Sequence, residues 1–192
     1  MEATEKAQAR HGLLIKRDAL DPEDRRLKSV AIGERLLSLP EYKDARVIMF
    51  YISYRSEVAT RPIIESALKA GKRVVVPKVD RKTRRLRLFE ISDLQKDLEA
   101  GYMGIYEPVE KHAVPFAPEG LDLIIMPGVG FDAECRRIGY GGGYYDKLLE
   151  EISPRTKLVA VAFEVQMMDK VPSEEHDRRV HRIITESRVV PD

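Results

Sequence analysis

The sequence predicts an α/β fold: a three-layer, Rossmann-like single domain over residues 1–192, with a mostly parallel sheet covered by helices on both faces. Four short apolar runs, 46–51, 72–77, 121–126 and 157–163, have the length of strands and show little polar alternation, as strands buried on both faces do. Segments with helical character separate most of them, as the crossovers of a parallel sheet require. In such sheets ligands bind at the carboxyl ends of the strands.

Helix signals bracket these runs. We expect helices over residues 4–20, from Asp21 to Pro40, over 61–70 and from 145 to about 152. Asp21-Pro22 provides an N-cap and a first-turn proline, Thr60 is expected to cap the third helix, and Gly71 to close it. Residues 86–91 alternate as a half-exposed strand, and 183–190 predict a last strand. Prolines at 108, 115 and 118 predict an irregular, extended stretch.

Composition excludes several classes of protein. Lys+Arg minus Asp+Glu is 33 − 32 = +1, so no overall field favours nucleic acid or a membrane surface. No apolar run has the length of a membrane span, and the N-terminus lacks the apolar stretch of a secretory signal. The single cysteine, Cys135, permits no internal disulfide. We therefore expect a cytoplasmic protein without a nucleic-acid or membrane partner.

The most informative passage is a glycine-rich turn after the run 121–126. Gly139, Gly141, Gly142 and Gly143 allow the backbone to approach a ligand closely, and the helix that follows directs free N–H groups toward an anion. Arg136 or Arg137 could bind phosphate oxygens, and Asp146 could contribute to a Mg²⁺ site. The spacing is neither GxGxxG nor GxxxxGK[ST]. A plain turn is the alternative, but it would need neither the arginines nor three tyrosines.

Two further stretches carry candidate ligand-binding residues. Lys6, Arg10 and Arg17 lie on one face of the first predicted helix, where they could clamp a polyphosphate or form an ordinary solvated face. Glu57 follows the run 46–51, at the expected carboxyl edge of the sheet. It could bind a ligand or help to cap the next helix.

These residues also carry a family resemblance. Pro127-Gly128, Phe131-Asp132 and the run Arg137-Ile-Gly-Tyr-Gly-Gly-Gly-Tyr-Tyr-Asp146 resemble the signature of the 5-formyltetrahydrofolate cyclo-ligase, or methenyltetrahydrofolate synthetase, family. Lys6-x-x-x-Arg10 and Glu57-x-x-Thr60 match further family motifs in the same order. The carboxyl-terminal matches are Gln166, Val171-Pro172, His176-Asp177 and Ile183-Ile184-Thr185.

The resemblance implies an ATP-dependent conversion of 5-formyltetrahydrofolate to 5,10-methenyltetrahydrofolate, with ADP and phosphate as products. It implies catalytic roles for Arg137 and Tyr144, and Mg²⁺ binding by Asp146 and Asp177. The implied ATP-binding residues are Lys6, Arg10, Arg137, Gly139, Gly141, Gly142, Gly143 and Tyr145. The implied folate-binding residues are Ile52, Glu57, Tyr140, Gly141, Gly142, Gly143 and Tyr144. A monomer is expected, with a dimer left open.

Some positions depart from the family pattern. Cys135 stands where the family usually has glycine, so a left-handed backbone there would be strained by about 1 kcal/mol or more, and the roles of Arg136 and Arg137 stay open. Ala59 and His181 replace frequent aspartates and receive no role. Two other functions remain alternatives: a phosphate-binding enzyme of the sugar-phosphate isomerase kind, and a nucleotide- or RNA-binding module that uses the basic turn 81–87.

Overall fold

The computed structural model describes residues 2–101, 104–172 and 177–191. His176, part of the carboxyl-terminal motif, lies outside these ranges. Among the described residues the helices are α1 Glu2–Asp18, α2 Pro22–Ser38, α3 Pro40–Asp44, α4 Arg61–Lys69 and α5 Tyr144–Glu151. The strands are β1 Val47–Met49, β2 Arg73–Asp80, β3 Arg85–Ile91, β4 Leu98–Ala100, β5 Tyr106–Pro108, β6 Val114–Phe116, β7 Leu123–Met126, β8 Gly130–Phe131, β9 Arg137–Ile138, β10 Lys157–Val161, β11 Arg182–Ile184 and β12 Val189–Val190.

One eight-stranded sheet organises the molecule, in the order β12-β11-β10-β7-β1-β2-β3-β6. The five strands from β11 to β2 are parallel, whereas β12, β3 and β6 pair antiparallel at the two edges. All four predicted apolar runs are therefore neighbouring central strands. The predicted mostly parallel sheet is confirmed, with antiparallel strands added at its margins.

Both faces of the sheet are buried. Ile48 packs on one face with Ile32 of α2 and Ile64 of α4, and its neighbour Met49 packs on the other face with Leu148 of α5. The same alternation continues through β2, β7 and β10. A three-layer arrangement follows, as predicted. In the described part of the chain, no helix has the length and apolarity to cross a membrane.

Helix α1 lies outside these layers and covers the short hairpin of β8 and β9. Its Leu13 packs with Val129, Ile138 and Val171. A Cβ on Gly130 would come within 2.3 Å of a terminal methyl of Leu13, so a larger residue there would force the Leu13 side chain to move. This packing brings the amino-terminal helix to the carboxyl edge of the parallel strands.

Several predicted details were wrong. The predicted last strand 183–190 is two strands, β11 and β12, joined by a turn in which the Thr185 hydroxyl accepts hydrogen bonds from Ser187 N and Arg188 N. Pro40 does not end α2, which stops at Ser38, but opens α3. The stretch 108–120 contains β6, where Pro115 pairs with β3.

The Thr60 side chain makes no capping hydrogen bond to α4. Its hydroxyl instead donates to Tyr51 O at 2.7 Å and accepts from Ser53 N at 3.0 Å. Thr60 therefore holds the segment after β1 in a tight turn, and this turn presents Ile52 and Glu57 at the edge of the sheet. The N-cap predicted at Asp21 is confirmed, since its carboxylate accepts a hydrogen bond from Glu23 N at 2.8 Å.

Candidate functional site

The glycine loop, defined here as residues 139–143, connects β9 to α5. Gly141 and Gly143 have φ angles of 90° and 68°, in the region that side chains disfavour. Gly143 is the N-cap of α5, so the helix starts at Tyr144 with its first N–H groups beside the loop. A helix N-terminus reached through left-handed glycines is the backbone arrangement expected for an anion site.

A buried carboxylate holds the turn that precedes this loop. Asp132, 1% exposed, accepts hydrogen bonds from Glu134 N, Arg136 N and Val171 N and from the Arg136 guanidinium at 3.1 Å. Arg136 also pairs with Glu134, so its charge is used within the turn. Cys135 in this turn has φ of 61°, which confirms the left-handed backbone that the family's glycine suggested.

Arg137, the next residue, points into a polar cavity of about 520 Å³ that we call the loop cavity. It is lined by Lys6, Arg10, Val79, Leu86, Pro127, residues 137–146, Asp177 and Arg178. Among the described lining residues, four carry positive charge and two are carboxylates. The cavity therefore has the excess positive charge that a polyanion requires.

The cations of the loop cavity are already held in place. Lys6 Nζ lies 2.8 Å from Asp177 Oδ2, and Arg137 Nη2 lies 3.2 Å from Asp146 Oδ1. Arg10 Nε donates to Gly139 O at 2.8 Å, and a Cβ on Gly141 would lie 3.5 Å from the Arg10 guanidinium. Helix α1 and the glycine loop are thus joined by direct contacts between the predicted phosphate-binding groups.

Arg137 is the most desolvated of these cations. Its side chain is 8% exposed, and burial lowers the pKa of the guanidinium although Asp146 opposes that effect. Within the described residues, its buried Nε has no hydrogen-bond partner. A buried donor without an acceptor is costly, and an anionic ligand oxygen would satisfy it.

A second cavity of about 540 Å³, the apolar cavity, adjoins the first. Apolar and aromatic side chains dominate its lining: Leu14, Tyr51, Ile52, Tyr54, Pro77, Val79, Leu86, Ile105, Tyr106, Pro127, Tyr140 and Tyr145. Its described charged residues are Arg17, Asp18, Arg55, Glu57 and Glu107. Such a lining suits a flat, largely apolar ligand that presents a few polar groups.

Glu57 lies in the apolar cavity and accepts two hydrogen bonds. Tyr54 N donates to Glu57 Oε2 at 2.9 Å, and the Tyr140 hydroxyl donates to Glu57 Oε1. Burial is the main effect that raises the pKa of the Glu57 carboxyl, whereas these hydrogen bonds and the Arg17 charge lower it. Burial also raises the pKa of the Tyr51, Tyr140 and Tyr145 phenols, so these hydroxyls stay protonated.

Tyr140 and Tyr145 line both cavities, together with Val79, Leu86 and Pro127. The structure thus brings the predicted site residues together into two adjoining compartments. Ile52 and Glu57 lie in the apolar cavity, whereas Gly141, Gly142, Gly143 and Tyr144 line only the loop cavity. Asp146 and Asp177 both line the loop cavity.

Arg17 lines a different cavity from Lys6 and Arg10. It is buried, donates to Ser56 Oγ at 3.0 Å and to the Tyr140 hydroxyl at 2.8 Å, and lines the apolar cavity. Seven residues of helix separate Arg10 from Arg17, about 10 Å along the axis, so the same face reaches two different compartments. The alternative of a solvated helix face is wrong for this residue.

Sequence reasoning missed many of the lining residues, among them Leu14, Arg178 and Tyr106. Leu14 lies four residues after Arg10, and its helical spacing could have placed it on the same face. Arg178 lines the loop cavity while donating to Leu149 O at 2.6 Å, and Tyr106 lines the apolar cavity with Arg61 stacked 4.6 Å from its ring. No motif pointed to the latter two residues.

The basic turn proposed as an RNA site has partners of its own. Arg85 pairs with Glu151, and both terminal nitrogens of Arg87 lie 3.0 Å from the Glu110 carboxylate. These ion pairs reduce the positive charge available for phosphate contacts. The turn is the tip of the β2–β3 hairpin.

Comparison with known proteins agrees with this geometry. The chain aligns with a solved structure of 5,10-methenyltetrahydrofolate synthetase from Aquifex aeolicus at a TM-score of 0.85 and 34% identity, covering 96% of this chain and 91% of that one. The 5-formyltetrahydrofolate cyclo-ligase of Escherichia coli K12 is 31% identical, over 91% of this chain and 96% of its own. The mitochondrial 5-formyltetrahydrofolate cyclo-ligase of Arabidopsis thaliana is 33% identical, over 90% and 71%.

The sequence profile of the 5-formyltetrahydrofolate cyclo-ligase family matches residues 2–186, which includes both cavities, the glycine loop and the carboxyl-terminal motifs. With this match and these relatives, the chain belongs to the 5-formyltetrahydrofolate cyclo-ligase family of ligases.

Proposed function

We propose that the protein uses ATP to close the ring of 5-formyltetrahydrofolate, giving 5,10-methenyltetrahydrofolate, ADP and phosphate. The observation that carries the proposal is the meeting of two compartments at Tyr140 and Tyr145. One compartment is cationic and is built on a glycine loop, and the other is apolar and holds a hydrogen-bonded carboxylate. Two substrates of opposite character can therefore be held with their reactive groups adjacent.

The loop cavity suits the triphosphate of ATP. Lys6, Arg10 and Arg137 supply positive charge, and the left-handed glycines let the backbone approach phosphate oxygens closely. The unpaired Nε of Arg137 gains an acceptor when phosphate binds. We assign Gly139, Gly141, Gly142, Gly143 and Tyr145 to the same ligand because they line this cavity.

Asp146 and Asp177 are the residues that would hold Mg²⁺. Their carboxylate oxygens have the donor chemistry that Mg²⁺ prefers, and both face the loop cavity. In the described part of the chain, no group of three or more potential metal ligands forms a complete site. Mg²⁺ commonly binds one or two carboxylates and completes its coordination with water and substrate phosphates, so two aspartates are enough. When bound, Mg²⁺ would supply charge neutralisation at the phosphates.

The apolar cavity suits the pterin ring system and the aryl group that follows it. Ile52, Tyr51 and Tyr106 offer apolar contacts, and Glu57 offers a carboxylate to ring N–H donors. Tyr140 places the formyl-bearing part of the folate next to the glycine loop, because it lines both compartments. Tyr144, on the loop side, lies where it can contact the transferring group.

The reaction then proceeds in two steps. The formyl oxygen attacks the γ-phosphorus, the bond to the β-bridging oxygen breaks, and ADP leaves. The folate N10 attacks the activated formyl carbon, loses its proton, and phosphate departs with the former formyl oxygen. The protein supplies no nucleophile. Arg137 and the loop N–H groups neutralise charge on the phosphoryl oxygens, while the two cavities align the reactants.

The decisive test is incubation of the protein with 5-formyltetrahydrofolate, ATP and Mg²⁺, with methenyl product followed by near-ultraviolet absorbance and ADP measured in parallel. We expect one ADP per methenyl product and none without ATP. Product formation without nucleotide consumption, or no product at all, would contradict the proposal. If no product forms but the protein still binds phosphate esters, the isomerase alternative is favoured.

A matched pair of arginines tests the nucleotide assignment. Arg10→Ala should raise the KM for ATP at least tenfold, because a charge-assisted phosphate contact is lost. Arg26→Ala removes an exposed arginine that pairs with Glu23 on α2 and should leave this KM unchanged. Equal behaviour of the two variants would remove Arg10 from the ATP site.

A further inference from the structure

A chain of polar contacts joins helix α1 to the glycine loop and to Glu57. Arg17 Nη1 donates to the Tyr140 hydroxyl at 2.8 Å, and that hydroxyl donates its own proton to Glu57 Oε1. Arg17 Nε is held by Ser56 Oγ at 3.0 Å, and Ser56 in turn donates to Asp18. The Arg17 side chain is thereby fixed at both ends of its guanidinium.

The contrast in burial between Arg17 and Tyr140 shows which residue anchors the other. Arg17 is 5% exposed, whereas Tyr140 is 48% exposed and belongs to a loop that contains two left-handed glycines. A loop tyrosine with so few packing contacts needs directional bonds to stay in one place. The buried arginine on a helix provides one, and its guanidinium lies 5.8 Å from the Tyr140 ring centre.

We propose that Arg17 is a positioning residue for the folate half of the site: through the Tyr140 hydroxyl it holds the glycine loop against Glu57 and keeps the Glu57 carboxylate aimed into the apolar cavity. The inference rests on the proposed function. It assigns Arg17 to folate recognition and not to ATP, although Arg17 shares a helix face with two residues that we assign to ATP.

The charges around Glu57 give Arg17 a second effect. Among the described groups, the Tyr140 hydroxyl, the Tyr54 N–H and the Arg17 cation act on this carboxylate, while Tyr51, Tyr145, Asp18, Arg55 and Glu107 line the same cavity. Burial raises the pKa of Glu57, and Arg17 is the cation that lowers it. An ionised carboxylate accepts N–H donors at both oxygens, whereas the protonated form turns one oxygen into an O–H donor. Loss of Arg17 favours the protonated form, which is the weaker acceptor for ring N–H groups.

The test is equilibrium binding of 5-formyltetrahydrofolate without ATP, measured by calorimetry for the wild-type protein, Arg17→Met and Tyr140→Phe. We expect Arg17→Met to raise the Kd for 5-formyltetrahydrofolate about tenfold, the usual size of a lost charge-assisted hydrogen bond, and to raise the Kd for ATP by a clearly smaller factor. A wild-type Kd for the folate, or an equal loss for ATP, would overturn the proposal.

A double-mutant cycle separates positioning from general packing. The cycle is measured above the pH midpoints of all four proteins, where the direct effect of the Arg17 charge on Glu57 ionisation is absent. If Arg17 then acts through Tyr140, the combined Arg17→Met and Tyr140→Phe protein binds no more weakly than Tyr140→Phe alone. Additive losses would overturn the proposal. One control accompanies the cycle: Lys16→Met removes the exposed neighbouring charge. It should bind 5-formyltetrahydrofolate within about twofold of the wild-type protein.

The pH dependence of binding provides a readout that packing alone would not move. Folate affinity should fall as Glu57 takes up a proton, and in Arg17→Met this fall should begin at higher pH because the lowering effect of the cation is gone. An unchanged pH midpoint would overturn the proposal. If Arg17→Met does not fold, Tyr140→Phe provides the test, because Tyr140 is half exposed and its replacement should leave the fold intact. Wild-type folate affinity and a wild-type pH midpoint in Tyr140→Phe would overturn the proposal. Absence of folate binding by the wild-type protein would instead contradict the proposed function, and this inference with it.

Discussion

The Lys6 ammonium lies 2.8 Å from the Asp177 carboxylate although 171 residues separate them in the sequence. One belongs to the proposed triphosphate site and the other to the proposed metal site. Arg137 and Asp146 form a second such pair, at 3.2 Å. Two of the three proposed phosphate-binding cations, Lys6 and Arg137, thus each face a proposed metal-binding carboxylate. When Mg²⁺ and ATP bind together, the cations can turn to phosphate oxygens and the carboxylates to the metal.

Asp177→Asn should therefore have opposite effects on two forms of the nucleotide. Without Mg²⁺ the Kd for ATP should fall about threefold, because a carboxylate facing the triphosphate loses its charge and the pair is only partly shielded from water. With Mg²⁺ the Kd should rise, because a metal ligand is lost. Calorimetric titration with ATP in a chelator and in excess Mg²⁺ measures both values.

The control for this prediction is Glu119→Gln, which removes an exposed carboxylate from the turn before β7. It should leave both constants unchanged. Weaker binding of metal-free ATP by Asp177→Asn would show that the carboxylate supports the nucleotide site in another way than by holding the metal.

The sheet could be predicted from the sequence because its central strands are buried on both faces. Met49 and Ile48 serve opposite layers, so the run 46–51 shows no polar alternation and has one reasonable interpretation. The turn between β11 and β12 could not be predicted. The turn contains neither glycine nor proline, since its residues are Glu186, Ser187 and Arg188. The reversal of chain direction instead depends on hydrogen bonds to the Thr185 hydroxyl.

Site residues that lie close together in the sequence could be predicted. Residues whose position in the site depends on how far along a helix they lie could not. The loop glycines and Arg137 lie within a few residues of one another, so their convergence follows from the motif. Arg17 shares its helix face with Arg10 but lies about 10 Å further along the axis, in the other cavity. Helical spacing predicts the side of the helix on which a residue lies. Only the packed structure shows which cavity each turn of the helix contacts.

Gly143→Ala tests whether loop conformation matters for nucleotide binding. Gly143 has φ of 68° and no atom within 4 Å of an added Cβ, so the substitution adds conformational strain without a clash. We expect a loss of about 1 kcal/mol in the free energy of unfolding, and a Kd for ATP that rises at least fivefold as the loop relaxes. Urea unfolding and calorimetry measure the two effects.

Gly71→Ala is the matched control for that substitution. Gly71 has φ of 73° and equally open surroundings, but it closes α4 away from both cavities. Its stability loss should equal that of Gly143→Ala, while its Kd for ATP stays at the wild-type value. A similar loss of ATP affinity in both proteins would mean that the nucleotide effect reflects general destabilisation.

Cys135 presents the reverse situation, a side chain in a conformation that favours glycine. Its φ is 61°, and its thiol is buried near Val190 O at 3.7 Å. Cys135→Ala keeps the backbone strain and loses the packed sulfur, which should cost about 1 kcal/mol in the free energy of unfolding. Cys135→Gly also relieves the strain, and this gain exceeds the entropy cost of glycine.

The glycine variant should accordingly be more stable than the alanine variant by about 0.5 kcal/mol, and neither should exceed the wild-type protein. Equilibrium urea unfolding of the three proteins makes the comparison. An alanine variant as stable as the glycine variant would show that the turn held by Asp132 carries no strain at this position.

Glu57→Gln should change the thermal stability and the folate affinity of the protein in opposite directions. The pKa of Glu57 in the folded protein is raised, mainly by burial. A carboxyl group with a raised pKa contributes most to stability below its unfolded pKa, and that contribution is lost as the pH rises through its folded pKa. Glutamine does not ionise, so the difference in Tm, variant minus wild type, should become more positive between about pH 4 and about pH 8.

Folate binding should respond in the opposite direction. Glutamine offers one neutral acceptor oxygen in place of the two oxygens of the negatively charged carboxylate. The Kd for 5-formyltetrahydrofolate at about pH 8 should therefore rise at least tenfold, while the Kd for ATP stays the same. Glu107→Gln alters another carboxylate of the apolar cavity, away from the Tyr140 contact, and should keep wild-type folate affinity. If Glu107→Gln loses the folate and Glu57→Gln retains it, the pterin ring lies at the other end of the cavity.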